Sequence, residues 1–174
     1  MRIIFSGKYI PKNSRSTGGP GRVMSHLVDE FTKFKQLDLT VLSPSYVASE
    51  YMTERISSNV TLIYVSPLNF SRVLTKVVKD DFDIIHVHGE IKLNLLVGNL
   101  KFITKTPLIY SVHGCLVSEA SLRKESNLIE MLPYIGIQHY LAKLSDVIVT
   151  VSKKFATILT EVFRVSRDKI KVIY

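Results

Sequence analysis

The sequence predicts an α/β protein built on a doubly wound, mostly parallel, Rossmann-like sheet, and three observations predict it. Short runs rich in β-branched residues recur along the chain and alternate with stretches of helical spacing, the pattern of consecutive βαβ units. Two of those runs end alike: Asp83-Ile84-Ile85-His86-Val87-His88-Gly89 and Leu108-Ile109-Tyr110-Ser111-Val112-His113-Gly114 both close on Val-His-Gly. Between them Leu93, Leu96, Val97, Leu100 and Ile103 fall at helical spacing. Strand, helix and strand thus fit into about thirty residues, and the two strands run parallel. His88 and His113 then stand at the carboxyl ends of their strands, the edge where open α/β sheets bind ligands.

Taken in order, residues 2–6 form the first strand. The dozen or so residues that follow include Lys8, Lys12 and Arg15, carry no acidic residue, and end in Ser16-Thr17-Gly18-Gly19-Pro20-Gly21, with Arg22 directly after. Val23, Leu27, Val28, Phe31 and Phe34 recur with helical period, and Pro20 suits a first helical turn. A second strand spans 39–43 and stops at Pro44, whereas 45–59 is polar and irregular and predicts no element. A third strand covers 60–65, and Val73, Leu74, Val77 and Val78 place a helix over about 68–79. In the βαβ unit that follows, Lys101 and Lys105 lie near the helix end, where the dipole favours cations. Periodicity lapses from Gly114 to about Asn127. It resumes in a helix over 128–144 that Pro133 is expected to kink or split. Residues 146–151 are a strand, Ser152 can cap a helix running through Phe163, 167–169 is a turn, and 170–173 is a last strand. Residues 1–174 make one domain without a linker or low-complexity tract.

At 46% apolar and 22% charged residues the composition is that of a soluble globular protein. No apolar run approaches the roughly 18 residues of a membrane span. Met1-Arg2-Ile3-Ile4-Phe5-Ser6-Gly7 is too short an apolar start for a signal peptide. One cysteine, Cys115, excludes an internal disulfide framework and fits a reducing compartment. Without a secretory signal the glycosylation triplets at Asn59 and Asn69 carry little weight. The expected location is cytoplasmic. A net charge of +8 favours anionic partners. The basic residues are dispersed and not interleaved with aromatics, which argues against nucleic acid and leaves phosphorylated metabolites or peripheral contact with an anionic membrane.

Two motifs can carry chemistry. Glycines in the loop before the first helix let backbone N–H groups approach a ligand, and the helix start behind them favours negative charge. Gly19-Pro20-Gly21-Arg22-Val23-Met24 lacks the third glycine of a dinucleotide fingerprint, and no Gly-Lys-Ser/Thr makes it a Walker A loop. A flexible connection and an anion-binding loop therefore both stand as readings. The histidines are the second motif. A single strand-end histidine is more often structural, but two on neighbouring strands, each followed by glycine, favour a functional reading. His86-Val87-His88 puts two imidazoles on one face of a strand, as a metal site would need. Its mid-chain place in a short domain argues against barrel-type metal hydrolysis. No nucleophile elbow is present for a Ser-His-Asp hydrolase. Cys115 reads as a buried thiol, and Asp80, Asp81 and Asp83 as a solvated turn.

These motifs, in this order, resemble family 4 glycosyltransferases. The resemblance rests on the Gly-Gly loop after strand one, Asp83 to His88, and Pro107 to Gly114. It continues in Leu141-Ala142-Lys143-Leu144-Ser145-Asp146-Val147-Ile148-Val149-Thr150-Val151-Ser152-Lys153 and Asp168 to Tyr174, and so covers nearly the whole chain. It implies one half of a GT-B architecture, in which two Rossmann-like domains face each other and a sugar passes from a nucleotide-sugar donor to an acceptor with retention. No metal or other cofactor is expected. The acceptor is a sugar, a lipid or a protein glycan. The chain corresponds to the amino-terminal, acceptor-side domain. The donor-binding carboxy-terminal domain, with its pair of glutamates eight positions apart, is missing, so a shortened polypeptide or a split gene is expected, and the isolated domain should be inactive. By position, the resemblance makes His113 the catalytic residue, in the sense of positioning and charge stabilisation. It makes Gly18, Gly19, His88 and Ser152 substrate-binding residues, and Arg22 joins them on charge and place. The alternative, from another class, is a stand-alone Rossmann-like binding module or a subunit completed by a second polypeptide.

Overall fold

The computed structural model describes residues 1–11, 19–45, 52–89, 92–114 and 128–173. Among these, the strands are β1 (Arg2–Ser6), β2 (Asp38–Pro44), β3 (Met52–Ser57), β4 (Val60–Val65), β5 (Ile84–His88), β6 (Leu108–Val112), β7 (Val147–Thr150) and β8 (Ile170–Val172). The helices are α1 (Gly19–Phe31), α2 (Phe70–Lys79), α3 (Lys92–Gly98), α4 (Leu100–Thr104), α5 (Leu128–Leu144) and α6 (Lys153–Glu161). The strands form one sheet in the order β3-β4-β2-β1-β5-β6-β7-β8. Every neighbouring pair is parallel except β3 and β4. This is the doubly wound, Rossmann-like sheet the sequence predicts. No described helix is long and apolar enough to cross a membrane.

Side-chain alternation divides the apolar residues between the two faces of the sheet. Ile3, Phe5, Leu39, Val41, Val60 and Leu62 pack with Met24 and Val28 of α1. Ile4, Leu42, Ile63, Ile85, Val87, Leu108, Tyr110, Val112 and Ile148 pack with residues of α2 to α6 on the other face. The chain order explains the division: a right-handed crossover from β1 outward to β2 and crossovers from β5 through β8 in the opposite direction place their helices on opposite faces. The reversal falls between β1 and β5, at the middle of the sheet.

Four local expectations are corrected. Residues 52–57, where no element was predicted, form β3, an antiparallel edge strand with a register shift between Arg55 and Ser57. Its first four residues are exposed, so no apolar alternation marks it. The single helix expected after β5 is two, broken at Gly98-Asn99, where the Asn99 side chain donates to the Leu95 carbonyl at 2.7 Å. Gly98 is needed for packing as well: a Cβ there would stand 2.9 Å from Leu141 Cδ2 of α5. Pro133 does not split α5. The carbonyl it leaves without a donor belongs to Ile129, in the first turn and 78% exposed, where water can satisfy it. Helix α6 stops at Glu161, short of Phe163.

The acidic residues before the strands do more than solvate a turn. Asp83 Oδ2 accepts from the Arg2 N–H at 2.7 Å, tying the start of β5 to that of β1. Asp146 repeats the device, accepting from the Leu108 N–H at 2.8 Å and from Lys101 Nζ at 2.6 Å. Partial burial would raise the Asp146 pKa, but these bonds and the charges of Lys101 and Lys169 outweigh it and hold the carboxyl below its ordinary range.

Asn59 and Asn69 are only 7% and 5% exposed, so both glycosylation triplets are occupied by structure. Asn59 Nδ2 lies 3.0–3.1 Å from the carbonyls of Phe31, Phe34 and Leu37, and its Oδ1 accepts from Ser57 Oγ at 2.8 Å. One amide therefore closes the end of α1 onto the β3–β4 turn. Replacing Asn59 with Ala removes the four hydrogen bonds of a buried amide and should lower unfolding stability by roughly 2–3 kcal/mol. Denaturant titration of both proteins checks this; an equal midpoint contradicts it.

Candidate functional site

Parallel registry brings the two Val-His-Gly ends side by side. His88 is paired with Ser111, two residues before His113. His86, His88 and Phe5 project from the face that carries α1: the Phe5 ring lies 4.7 Å from that of His86 and 5.7 Å from that of His88. The His88 and His113 rings are 4.3 Å apart, with His113 Nε2 3.4 Å from His88 Nδ1. The structure therefore places His88 and His113 at one sheet edge and in mutual contact. His88 is only 2% exposed and lies behind His113, which is partly buried.

The third histidine is held differently. His86 Nε2 meets Ser111 Oγ at 2.7 Å, and either group can be the donor according to the imidazole tautomer. Burial, with the charge of His113 nearby, lowers the His86 pKa to about 4. Burial also lowers that of His113. At neutral pH both are uncharged imidazoles, able to give or accept a hydrogen bond without carrying a charge. Among the described residues no group of three His, Cys, Asp or Glu side chains is arranged to hold a metal ion.

Two buried amides, which sequence reasoning missed, fix the strand ends. Asn94 of α3 is fully buried. Its Nδ2 donates to the carbonyls of His88 and Gly89, both at 2.9 Å, and its Oδ1 accepts from Ser6 Oγ at 2.8 Å. Gln138 of α5, also fully buried, donates from Nε2 to the Gly114 carbonyl at 2.9 Å. Each glycine that follows a site histidine is thus gripped by an amide from the helix packed beside it. Gly89 turns the chain with φ +76°, a conformation side chains resist, while its N–H donates to the Ser111 carbonyl. Gly7, at the end of β1, makes room as well: a Cβ there would stand 2.5 Å from Met24 Sδ and 3.1 Å from His88 Cβ and O. The one available signal for the amides was their spacing: Asn94 falls beside Leu93 and Val97, and Gln138 beside Ile137 and Leu141, on the apolar stripes of their helices.

The other predicted residues lie around this edge. Gly19 is the exposed first residue of α1 and Arg22 is exposed in its first turn. The start of the loop leading to them is pinned, because Ser25 Oγ donates to the Ile10 carbonyl at 2.6 Å and accepts from the Ile10 N–H at 3.0 Å. Gly18 and Cys115 fall outside the described residues. Ser152 is the N-cap of α6, its Oγ accepting from the Phe155 N–H at 3.3 Å, as its sequence position predicts.

Comparison with known proteins sharpens the picture. The family described as Glycosyltransferase Family 4 matches the chain over residues 17–174. No curated protein matches. Among solved structures, sucrose-phosphate synthase from Thermosynechococcus elongatus superposes with a TM-score of 0.62 at 13% identity. That match covers 99% of this chain and 47% of the other, and at such identity it shows a shared fold. A structure described as trehalose-6-phosphate from E. coli bound with UDP-2-fluoro glucose matches at a TM-score of 0.37 and 14% identity, over 88% of this chain and 40% of the other, too loosely to carry an argument. The chain thus spans about half the length of the larger protein whose fold it shares.

The His86 environment makes a prediction about pH. An imidazole of ordinary pKa 6.5 in the unfolded chain takes up a proton that folded His86, at about 4, refuses. Stability is complete above that window and falls as pH drops through it. Between pH 7 and pH 5 the loss from this group should be about 2 kcal/mol. His86→Gln, which keeps a partner for Ser111 but does not titrate, should lose correspondingly less than the native chain. Guanidinium titrations at the two pH values check this; equal losses would assign the effect elsewhere.

Proposed function

The chain belongs to glycosyltransferase family 4, and from that premise we propose that it is the acceptor-side half of an enzyme that moves a sugar from a nucleotide-sugar donor to an acceptor with retention and without a metal. The observation that carries this reading is the contact between His88 and His113 at the carboxyl edge, in the face-to-face register of two neighbouring strands. Its place beside the reversal of strand order is where an open α/β sheet accommodates a ligand. In this proposal a second, nucleotide-binding domain faces that edge and the sugar is transferred in the cleft between them.

His113 Nε2 is turned toward His88, which leaves Nδ1 as the ring atom for a substrate. A neutral imidazole can donate there to a sugar hydroxyl or steady the charge that develops as the bond to phosphate breaks. His88, buried behind it, sets the orientation and tautomer of the His113 ring. Gly19 and Arg22 at the start of α1, with Gly18 preceding them in sequence, supply backbone N–H groups and a cation for the donor phosphate or the acceptor, and Ser152 lines the same edge from the start of α6. The His113 ring, held against His88, has its geometry set before substrate arrives, which limits the reorganisation needed at the moment of transfer.

Kinetics of the polypeptide that joins this domain to its nucleotide-binding counterpart test the reading. His113→Ala should lower kcat about 10²–10³-fold, or about 2.7–4 kcal/mol, with a smaller change in KM, because the lost donor acts mainly in the transition state. Thermal midpoints should be close to that of the native protein. Native turnover in that variant would remove His113 from the mechanism. The 174-residue chain by itself should bind nucleotide sugars more weakly than a micromolar Kd, about −8 kcal/mol. Tighter binding would favour a self-sufficient binding module instead.

A further inference from the structure

A cavity of about 380 Å³ opens at the same sheet edge but on the opposite face from the histidines, lined by Pro44, Val65, Phe70, Leu93, Leu96 and Lys92, with Ser45, Ser66 and Pro67 completing it. It sits past the ends of β2 and β4, between the starts of α2 and α3. Its volume is at the lower end of the range for ligand sites. At about 30 Å³ per water it has room for a fragment of roughly a dozen heavy atoms. The first turn of α3 joins it to the site already described: Leu93 lines the cavity, and the next residue, Asn94, holds the His88 and Gly89 carbonyls.

The lining is chemically one-sided. A pocket made for a sugar would present carboxylates or amides to its hydroxyls, and here the polar groups are two serines and one lysine. Ser66 is already engaged within the turn, its Oγ accepting from the Asn69 N–H. What remains is apolar, and it continues outward: Leu96 at the rim is 44% exposed and Leu68, beside the lining Pro67, is 78% exposed. These leucines carry the apolar lining of the cavity out to the surface beside it. Lys92 stands at the rim, exposed and with no ion pair among the described residues. An apolar cleft with a cation at its mouth fits a hydrocarbon chain that ends in an anionic group.

We propose that this cavity holds the hydrocarbon part of an amphiphilic acceptor whose anionic group lies against Lys92. The substrate class this names rests on the acceptor-side reading given above. The site sets the acceptor's chain on one side of the strand ends and leaves its polar end at the edge where His113 waits. It makes the enzyme selective for lipid-like acceptors over free sugars.

Octyl phosphate, below its micellar concentration, is the probe, with inorganic phosphate and 1-octanol as controls, each titrated into the 174-residue chain by calorimetry and followed by methyl NMR. Octyl phosphate should bind at one site, at least tenfold tighter than inorganic phosphate, and shift the methyls of Val65, Leu93 and Leu96. Leu96→Asn, a change at an already exposed position, should weaken it at least tenfold with an unchanged thermal midpoint. Lys92→Gln should weaken octyl phosphate several-fold and leave 1-octanol unaffected. Binding that tracks inorganic phosphate alone, or that ignores Leu96→Asn, overturns the proposal. The transfer assay separates this from the reading beneath it. Transfer to an alkyl-chain acceptor that is indifferent to Leu96→Asn keeps the glycosyltransferase and discards the lipid site. Octyl phosphate binding that depends on Leu96, in a protein that transfers no sugar, keeps the site and discards the reaction.

Discussion

Two buried amide side chains set the geometry on which the site depends. A strand that ends at a ligand edge has to stop with its last carbonyls unpaired by the sheet, and buried carbonyls without donors are costly. Asn94 and Gln138 meet that need from two helices packed on the same face, one reaching the His88-Gly89 carbonyls and the other the Gly114 carbonyl. Because each amide is rooted in a helix that packs on the sheet, the position of the histidine pair is fixed by the core itself. Ser6 extends the linkage to β1 through the Asn94 oxygen, so that the ends of β1 and β5 are held by one polar network in an otherwise apolar layer. Such networks are rigid when every member is satisfied.

The same arrangement decides which way the histidines face. His86 and His88 alternate with Ile85 and Val87, and the latter two are buried against the helices of the opposite face. A shift of one residue in registry would drive both imidazoles into that apolar core. The face they occupy instead carries α1, with Phe5 against both rings. Burial lowers the pKa of both His86 and His113, and of the two it is His113 that follows the end of its strand, at the edge. One polar residue within the sheet and one at its rim thus acquire different properties from neighbouring positions.

Much of this was legible in the sequence, and the reason is repetition. Two runs that both end in Val-His-Gly announced parallel strands and a shared edge, and the alternation of strands and helices gave the winding. What was not legible depends on partners far along the chain. The exposed sequence of β3, with Glu54 and Arg55 in its middle, becomes a strand only because β4 offers it a free edge. The break between α3 and α4 puts Gly98, where a side chain would collide with Leu141 of α5, beside Asn99, whose amide bonds back to Leu95. Ser111 looked like a strand residue of no consequence until its hydroxyl met His86, and Asp83 looked like a turn until it received the Arg2 N–H. Asn94 and Gln138 carried a local sign, since polar residues on an apolar helical stripe require partners, but the partners themselves follow only from the assembled sheet. The loop glycine Gly18 lies outside the described residues, and the part of the loop that is described owes its position to Ser25, another residue whose role only the fold reveals.

The outer strands have a consequence for how the protein behaves in a crowded solution. An eight-stranded open sheet leaves two rows of unsatisfied backbone groups, and long flat edges invite other chains to add on. At one end β3 is irregular in register and carries Glu54 and Arg55 on largely exposed backbone; at the other β8 spans only Ile170–Val172 and exposes Lys171 at its centre. Charge, brevity and a bulge are the means by which β proteins resist intermolecular strand pairing. The apolar interior strands are enclosed between these guarded margins, so the two described edges are poor templates for strand addition. Loss of the β3–β4 pairing would uncover β4, whose Val60, Leu62, Ile63 and Val65 are among the most buried residues of the chain, and turn a solubility feature into a nucleus for self-association.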